Sequence, residues 1–130
     1  MSTNAGIALR SGDTYQTIYC HWDGYPKYML PMLRENYNSL ELAAKLISYG
    51  DASSIDKKLE PTPGVAHTFM WPEDGVCVFY HRDRGDDLIS CQSVCYTKKE
   101  LFDRPAFEYI YIFEDGTWNV YKRNGERIYI

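Results

Sequence analysis

The sequence lacks any apolar stretch that could cross a bilayer, because no run approaches the roughly 20 residues that a transmembrane helix needs. Its first residues, MSTNA, do not show the basic and then apolar pattern of a secretory signal peptide. Internal repeats and low-complexity tracts are also missing. The 130 residues therefore predict a single domain, residues 1–130, that acts in the cytoplasm and contacts no membrane.

Positive charge is scarce as well, since 14 Lys and Arg residues oppose 18 Asp and Glu residues and the net charge is -4. Non-specific nucleic-acid binding needs positive charge to displace counterions, so it is not expected, although a local basic pocket is compatible with this balance. Neither the Walker pattern nor the dinucleotide-binding glycine pattern occurs. No nucleophile-elbow pattern surrounds Ser53 or Ser54. An enzyme is therefore the less favoured class.

Cysteine occurs only four times. In a reducing cytosol we expect these thiols to be free and mostly buried. The spacing of Cys91 and Cys95 is permissible for zinc, and in an extended strand it would place both thiols on one face. No second matched pair accompanies them among the other candidate ligands, which include His67, so no metal or other cofactor is predicted.

Tyrosine is abundant, with 12 copies, which suits a sheet surface or a ligand-facing groove. Alternating patterns and turn residues indicate strands, and helical spacing indicates two helices after the second strand. Asn38 or Ser39 is expected to cap the second helix, which ends before Gly50. A capping box over residues 97–100 predicts a further short helix, limited by Pro105. The predicted strands are residues 6–10, 15–21, 65–71, 76–82, 88–96, 106–113, 117–122 and 127–130, and the first two helices cover residues 28–37 and residues 40 onward.

These elements predict an α+β fold: an antiparallel β-sheet, two helices inserted after the second strand and covering one face, and a C-terminal three-stranded meander. The sixth predicted strand alternates aromatic residues on one face with Glu108, Ile110 and Ile112 on the other. One face must belong to the core. The other would be an exposed apolar ladder, which makes a homodimer a plausible partner arrangement.

The first candidate site lies in IYCHWDGYP, residues 18–26, which we call the first polar segment. His21, Asp23 and Tyr25 combine an imidazole, a carboxylate and a phenol that the fold does not require. An alternative interpretation is purely structural, with Asp23 and Gly24 forming a turn or a helix cap. Trp22 is expected to be a core anchor in either case.

The second polar segment, YHRDRGDD, covers residues 80–87 and repeats this mixture at a predicted strand end. Arg82 and Arg84 could bind phosphate through their planar donors, and Tyr80 or His81 could stack on a base. The alternative is a solvated turn in which the two arginines pair with neighbouring aspartates. A ligand site would require both polar segments to converge on one concave surface.

The strings IYCHWDGYP, LRENYN, LAAKLISYGDASSI and HRDRGDD, together with the closing YIYIFEDGTWNVY, support a family resemblance. They resemble a widespread group of small uncharacterised proteins of phages and prophages that share the YCHWDGYP motif. The resemblance runs from about residue 15 to residue 87 and carries no enzyme activity. It implies a phage or mobile-element gene expressed in the cytoplasm of a bacterial host, and a role against bacterial defence.

Three functions follow as hypotheses. The first is a phage-encoded accessory protein that binds and sequesters a nucleotide-derived small molecule, with Asp23 or Asp83 contacting ribose hydroxyls. The second is a protein-binding inhibitor of a host defence effector, comparable to an anti-CRISPR protein, because the chain is acidic and rich in Tyr. The third is a small nucleotide hydrolase in which His21 with Asp23, or His81 with Asp83, acts as an acid–base pair.

Overall fold

The computed structural model describes residues 2–129, within which eight strands form one sheet accompanied by five helices. The predicted α+β class is confirmed. The strands are β1 Ala5–Ser11, β2 Thr14–Cys20, β3 Ala52–Ser54, β4 Val78–Phe79, β5 Val94–Thr97, β6 Tyr109–Glu114, β7 Thr117–Lys122 and β8 Arg127–Ile128. The helices are α1 Pro26–Asn36, α2 Leu40–Ser48, α3 Tyr80–Arg84, α4 Leu88–Cys91 and α5 Lys98–Phe102.

The sheet is mixed, so the prediction of a wholly antiparallel sheet is wrong. Its strand order is β4-β3-β2-β1-β6-β7-β8, and β5 pairs with the first half of β2. The β1–β2 hairpin and the β6–β7–β8 meander are antiparallel as predicted. These two units join through β1 and β6, which run parallel with Ile7 opposite Tyr111. A parallel pair arises because the whole middle of the chain lies between the two strands and crosses over the sheet.

The two predicted helices cover one face of the sheet. Helix α1 begins at Pro26, earlier than predicted, so that Pro31 lies within it on an exposed position. Helix α2 is capped by Ser39, whose hydroxyl accepts from the Leu42 N–H at 3.1 Å. Their apolar faces pack on the sheet around the fully buried Trp118. The helix residues that pack into this core are each less than 4% exposed: Met29, Leu30, Leu33, Ala43, Leu46 and Ile47.

The opposite face of the sheet is covered too. Helix α5, which has the predicted capping box between Thr97 and Glu100, places Leu101 against Ile110 and Ile112. The other side of β6 packs into the larger core through Tyr111 and Phe113. Strand β6 is therefore buried on both faces and offers no exposed apolar ladder, which removes the argument for a homodimer.

The middle of the chain differs most from the prediction. Residues 65–71 form no strand, and the predicted strand at residues 76–82 shortens to β4 and continues into helix α3. The predicted strand at residues 88–96 divides into α4 and β5. Local side-chain acceptors favour both changes: Asp83, within α3, accepts from the Phe79 N–H at 2.8 Å, and the N-cap Asp87 of α4 accepts from the Ser90 N–H at 3.3 Å. Such local bonds favour helical turns over strands.

Residues 55–77 form a long loop, and within this described segment the one β pairing is the isolated bridge between Lys58 and Val76. At the C-terminus β8 ends at Ile128, and Ile130, part of the last predicted strand, lies outside the described residues. The longest helix in residues 2–129 has 11 residues, and none has the length and apolar character needed to span a bilayer.

Candidate functional site

The first polar segment divides at the end of β2. Ile18 and Cys20 belong to the core, as predicted. Trp22 does not, since 45% of it is exposed. The physical reason is that β2 ends at Cys20, so strand alternation no longer decides where the next side chains lie. The backbone instead turns along β3, where the N–H groups of His21 and Trp22 donate to Ala52 and Ser53 at 3.1 and 2.9 Å.

The turn that follows is shaped by Gly24. Its N–H donates to Thr3 O at 2.9 Å, and a Cβ added there would lie 2.7 Å from that same oxygen. Asp23 is exposed in the left-handed region with a φ of 58°, and it does not cap α1, whose N-cap is Tyr25. Within residues 2–129 the side chains of Asp23 and Tyr25 make no hydrogen bond, so neither is held in place for a ligand.

His21 belongs to a polar network on the face of the sheet opposite α1 and α2. Asn4 Nδ2 donates to the Tyr19 hydroxyl at 2.6 Å. That hydroxyl lies 2.7 Å from His21 Nδ1. Asn4 Nδ2, which can only donate, lies 3.3 Å from the same nitrogen, so Nδ1 is the acceptor and the hydroxyl donates to it. His21 consequently accepts at Nδ1 and, when neutral, carries its proton on Nε2. Burial raises the pKa of Tyr19, so the phenol stays protonated near neutral pH.

The second polar segment is mostly committed to internal contacts. Arg82 donates to Asp83 Oδ1 at 2.9 Å and to Cys77 O at 2.9 Å, and its guanidinium lies 5.0 Å from the Phe79 ring centre. Arg84 forms a two-point pair with Asp86 at 2.8 and 2.7 Å. Both arginines are thus neutralised by neighbouring aspartates, and they are poor phosphate ligands. The exposed His81 contacts Asp86 O through Nδ1 at 2.7 Å.

His67 joins this cluster and closes the long loop. Its side chain is only 2% exposed and places Nε2 3.3 Å from Asp83 Oδ2. Its Nδ1 accepts from the Glu73 N–H at 2.9 Å. Burial alone would raise the pKa of Asp83, but the hydrogen bonds from Arg82 and Phe79 hold it below its usual value. The Asp83 carboxylate therefore fastens the loop, the end of β4 and α3 together.

No hydrogen bond or ion pair among residues 2–129 joins the side chains of the two polar segments directly. Strand β3 separates them, and the Tyr80 N–H donates to Asp51 O at 3.2 Å. The Tyr80 side chain lies beside Ser53, and burial raises its pKa. His21 and Tyr80 therefore flank the same part of the sheet, whereas the Arg82 side chain packs toward Phe79 and the larger core.

A cleft of about 290 Å³ lies next to this network, and we call it the Asp51 cleft. Asp51 Oδ1 accepts from the Tyr19 N–H at 2.9 Å. Burial raises the pKa of Asp51 to about 6, against the lowering effect of that hydrogen bond. Arg104 lies over the Tyr96 ring at 5.4 Å and forms no ion pair with any of residues 2–129. The cleft is lined by Thr17, Ile18, Tyr19, Asp51, Ser90, Val94, Tyr96, Arg104, Ala106 and Phe107.

Sequence reasoning missed Asp51 and Arg104. The string GDASS reads as a helix stop, and indeed Gly50 follows α2 with a φ of 83°. What makes Asp51 special is its position: its N–H donates to Cys91 O at 2.7 Å, and its carboxylate contacts a strand 32 residues away. No local pattern signals partners at that separation. The one available signal is the pair of a stop glycine and an acidic residue, which is common to ordinary turns.

The structure also bears on metal and hydrolytic chemistry. Cys91 lies buried at the end of α4 and Cys95 is exposed on β5, so the assumption of one extended strand is wrong. Within residues 2–129 no three His, Cys, Asp or Glu residues are grouped to hold a metal. His21 contacts Tyr19 and Asn4 rather than Asp23. The acid–base pairs His21–Asp23 and His81–Asp83 therefore do not form within residues 2–129.

Comparison with known proteins adds no assignment: no protein-family model, curated protein or solved structure matches this chain. The Asp51 cleft must therefore be interpreted from its own chemistry.

Proposed function

We propose that this chain binds and sequesters a nucleotide-derived small molecule in the Asp51 cleft. One observation carries the proposal: a carboxylate, an unpaired guanidinium and aromatic rings line the same cavity of about 290 Å³. A nucleotide presents hydroxyl donors, an anionic phosphate and a planar base, and each of these matches one of those groups.

The roles can be assigned by chemistry. Asp51 accepts hydrogen bonds from ribose hydroxyls, as Asp23 or Asp83 would do in the hypothesis from sequence. Arg104 binds the phosphate, the role first considered for Arg82 and Arg84. Tyr96 or Tyr19 stacks on the base. A cavity of about 290 Å³ is slightly smaller than most ligand pockets, which measure roughly 300 Å³ and above, so we expect it to take a single mononucleotide unit.

The biological setting of the proposal is infection. The resemblance of the YCHWDGYP segment to phage and prophage proteins supports expression in the cytoplasm of a bacterial host. Binding alone would then remove a nucleotide signal on which a defence system depends. Catalysis is not needed for this effect, and burial raises the pKa of the Cys20 thiol to about 12, which disfavours a thiolate nucleophile there.

The test is retention of small molecules by the purified protein. The protein is incubated with lysate of bacteria whose nucleotide-signalling defence has been activated, washed, denatured and analysed by mass spectrometry of the released compounds. We expect a retained nucleotide, and its loss by at least tenfold in Arg104→Gln. Arg123→Gln is the matched control, because Arg123 is an exposed arginine outside the cleft. Absence of any retained nucleotide, or equal loss in both variants, contradicts the proposal.

A second candidate function, a protein-binding inhibitor, is favoured by one specific observation. The long loop exposes Met70 and Trp71, which are 75% and 80% accessible. Exposed Trp residues are common at the energetic centre of protein interfaces. The test is recovery of host proteins on immobilised protein, compared with Trp71→Ser. A defence protein that binds the natural chain and not the variant supports this function, and equal recovery on both refutes it.

A further inference from the structure

A second cavity lies on the same face of the sheet, beyond the Asp51 cleft. It has a volume of about 420 Å³ and shares no lining residue with that cleft. Its walls come from the β1–β2 turn, from helix α5 and from the meander. The residues that line it are Arg10, Asp13, Tyr15, Thr97, Lys98, Lys99, Phe102, Ile112, Glu114 and Tyr121. We call it the Lys98 cavity.

The carboxylate inside the cavity is already satisfied. Glu114, whose side chain is 11% exposed, pairs with Arg10 at 3.4 Å and accepts from Asn119 at 3.2 Å. It also accepts from the Tyr121 hydroxyl. The pKa of Tyr121 is raised, first by burial and then by this carboxylate, so the phenol keeps its proton. Glu114 and Arg10 thus cancel each other and leave no net charge on the inner wall.

The two lysines at the rim are not satisfied. Lys98 and Lys99 form no ion pair or hydrogen bond through their ammonium groups with any of residues 2–129. The nearby carboxylate in α5, Glu100, accepts from the Thr97 N–H at 2.8 Å in the capping box. One other acidic residue, Asp13, lines the cavity, on the β1–β2 turn. Two positive charges against one negative charge leave the rim basic on a chain whose net charge is -4.

The rest of the inner wall is apolar and aromatic. Tyr15 and Ile112 are buried, with 4% and 2% exposure, and form part of the smaller core. Phe102 meets Tyr121 edge to face, with ring centres 5.8 Å apart. A planar ring can pack against such a wall while an attached anion reaches the ammonium groups.

We propose that the Lys98 cavity binds a small organic anion in which a planar ring carries a phosphate or carboxylate group. The ring packs on Phe102, which is only partly buried, and the anion pairs with Lys98 and Lys99. This site is separate from the Asp51 cleft, so its test stands whether or not the cleft binds a nucleotide.

The test is a titration of the full chain with phenyl phosphate, followed by two-dimensional 1H–15N NMR. We expect shifts concentrated in residues 97–102 and 112–114 and at Tyr15 and Tyr121. Inorganic phosphate and phenol, which each supply one half of the probe, should bind at least fivefold more weakly. A shift pattern centred on Asp51 and Arg104 instead, or phenol binding as tightly as phenyl phosphate, overturns the proposal.

Charge variants test the same proposal without disturbing the core. The double variant Lys98→Gln and Lys99→Gln should weaken phenyl phosphate at least fivefold, because both ammonium groups are lost. Lys45→Gln on α2, on the opposite face of the sheet, should change it less than twofold. Asp13→Asn should strengthen binding about twofold by removing the opposing charge. Equal weakening in Lys45→Gln and the double variant shows non-specific attraction and refutes the site.

Discussion

The two polar segments have nearly the same composition but different roles in the structure. The charges of the second segment pair with one another: Arg82 binds Asp83, and Arg84 binds Asp86. The buried side chain of His67, from the long loop, also contacts Asp83. The first segment stays open. His21 bonds Tyr19 and Asn4, and two residues of this segment, Ile18 and Tyr19, line the Asp51 cleft.

The difference lies in the balance of charge within each segment. The second segment contains enough aspartates to neutralise its own arginines, so its polar groups stabilise the local fold and are not free to bind a ligand. The first has one carboxylate, on the exposed Asp23, which does not pair with the imidazole; His21 instead bonds Tyr19 of the same segment and Asn4 near the N-terminus. A chemically rich segment is therefore a better guide to a site when its charges are not matched by their neighbours in sequence.

Within the two polar segments, the largest expected loss of stability comes from breaking the contacts of the second one. Asp83→Ala removes the carboxylate that accepts from the Phe79 N–H and from Arg82 and that contacts His67. These three groups then lose a partner in a site that is largely shielded from water. We expect the free energy of unfolding to fall by about 3 kcal/mol, measured by urea denaturation. Asp86→Ala, which breaks the more exposed pair with Arg84, should have a much smaller effect. Equal losses would show that Asp83 does not hold the loop.

The next effect tests the turn of the first segment. Gly24→Ala places a Cβ 2.7 Å from Thr3 O and 2.8 Å from Ala5 Cβ, so the backbone must move. We expect a loss of about 2 kcal/mol in thermal or urea unfolding. Asp23→Gly is the neighbouring control, because glycine adopts a φ of 58° without strain. Its stability should change by about 0.5 kcal/mol or less, and a large loss would mean that Asp23 has a structural role.

A smaller effect, of opposite sign, concerns Asp51. The folded chain holds its pKa near 6, above that of an unfolded Asp, so ionisation opposes folding as pH rises from about 4 through 6. Asp51→Asn should therefore stabilise the protein at pH 7.5 by about 1 kcal/mol after solvent screening, or about 3 °C in Tm. At pH 4 the gain should vanish. A constant gain at both pH values would show that ionisation is not its cause.

The smallest expected effect is that of Trp22→Ala, which is compared with the same substitution at the core residue Trp118. Because Trp22 is 45% exposed, Trp22→Ala should cost about 1 kcal/mol or less. Trp118→Ala should cost about 4 kcal/mol, since that ring is fully buried and its Nε1 donates to Tyr37 O at 2.8 Å. Both variants are measured by urea unfolding. Similar losses in the free energy of unfolding would show that Trp22 is a core residue after all.

Features that depend on a few adjacent residues could be predicted. Ser39 caps α2, Thr97 and Glu100 form their capping box, and Gly116 and Gly125 make the turns of the meander at positive φ. The strand predicted at residues 65–71 failed because its apolar residues have no sheet partner, and polar contacts to Asp83 hold the loop instead. The parallel pairing of β1 with β6 likewise has no local signal.

The sequence by itself determined the α+β class, the N-terminal hairpin, the two helices and the C-terminal meander, because caps, turns and hydrophobic periodicity act over a few residues. Only the tertiary structure decided which polar groups are free. Asp51 and Tyr19, 32 residues apart, meet because β3 lies beside β2, and Arg104 approaches them from a loop after α5. Burial and pairing between such distant residues set their chemistry, and no stretch of adjacent residues encodes it.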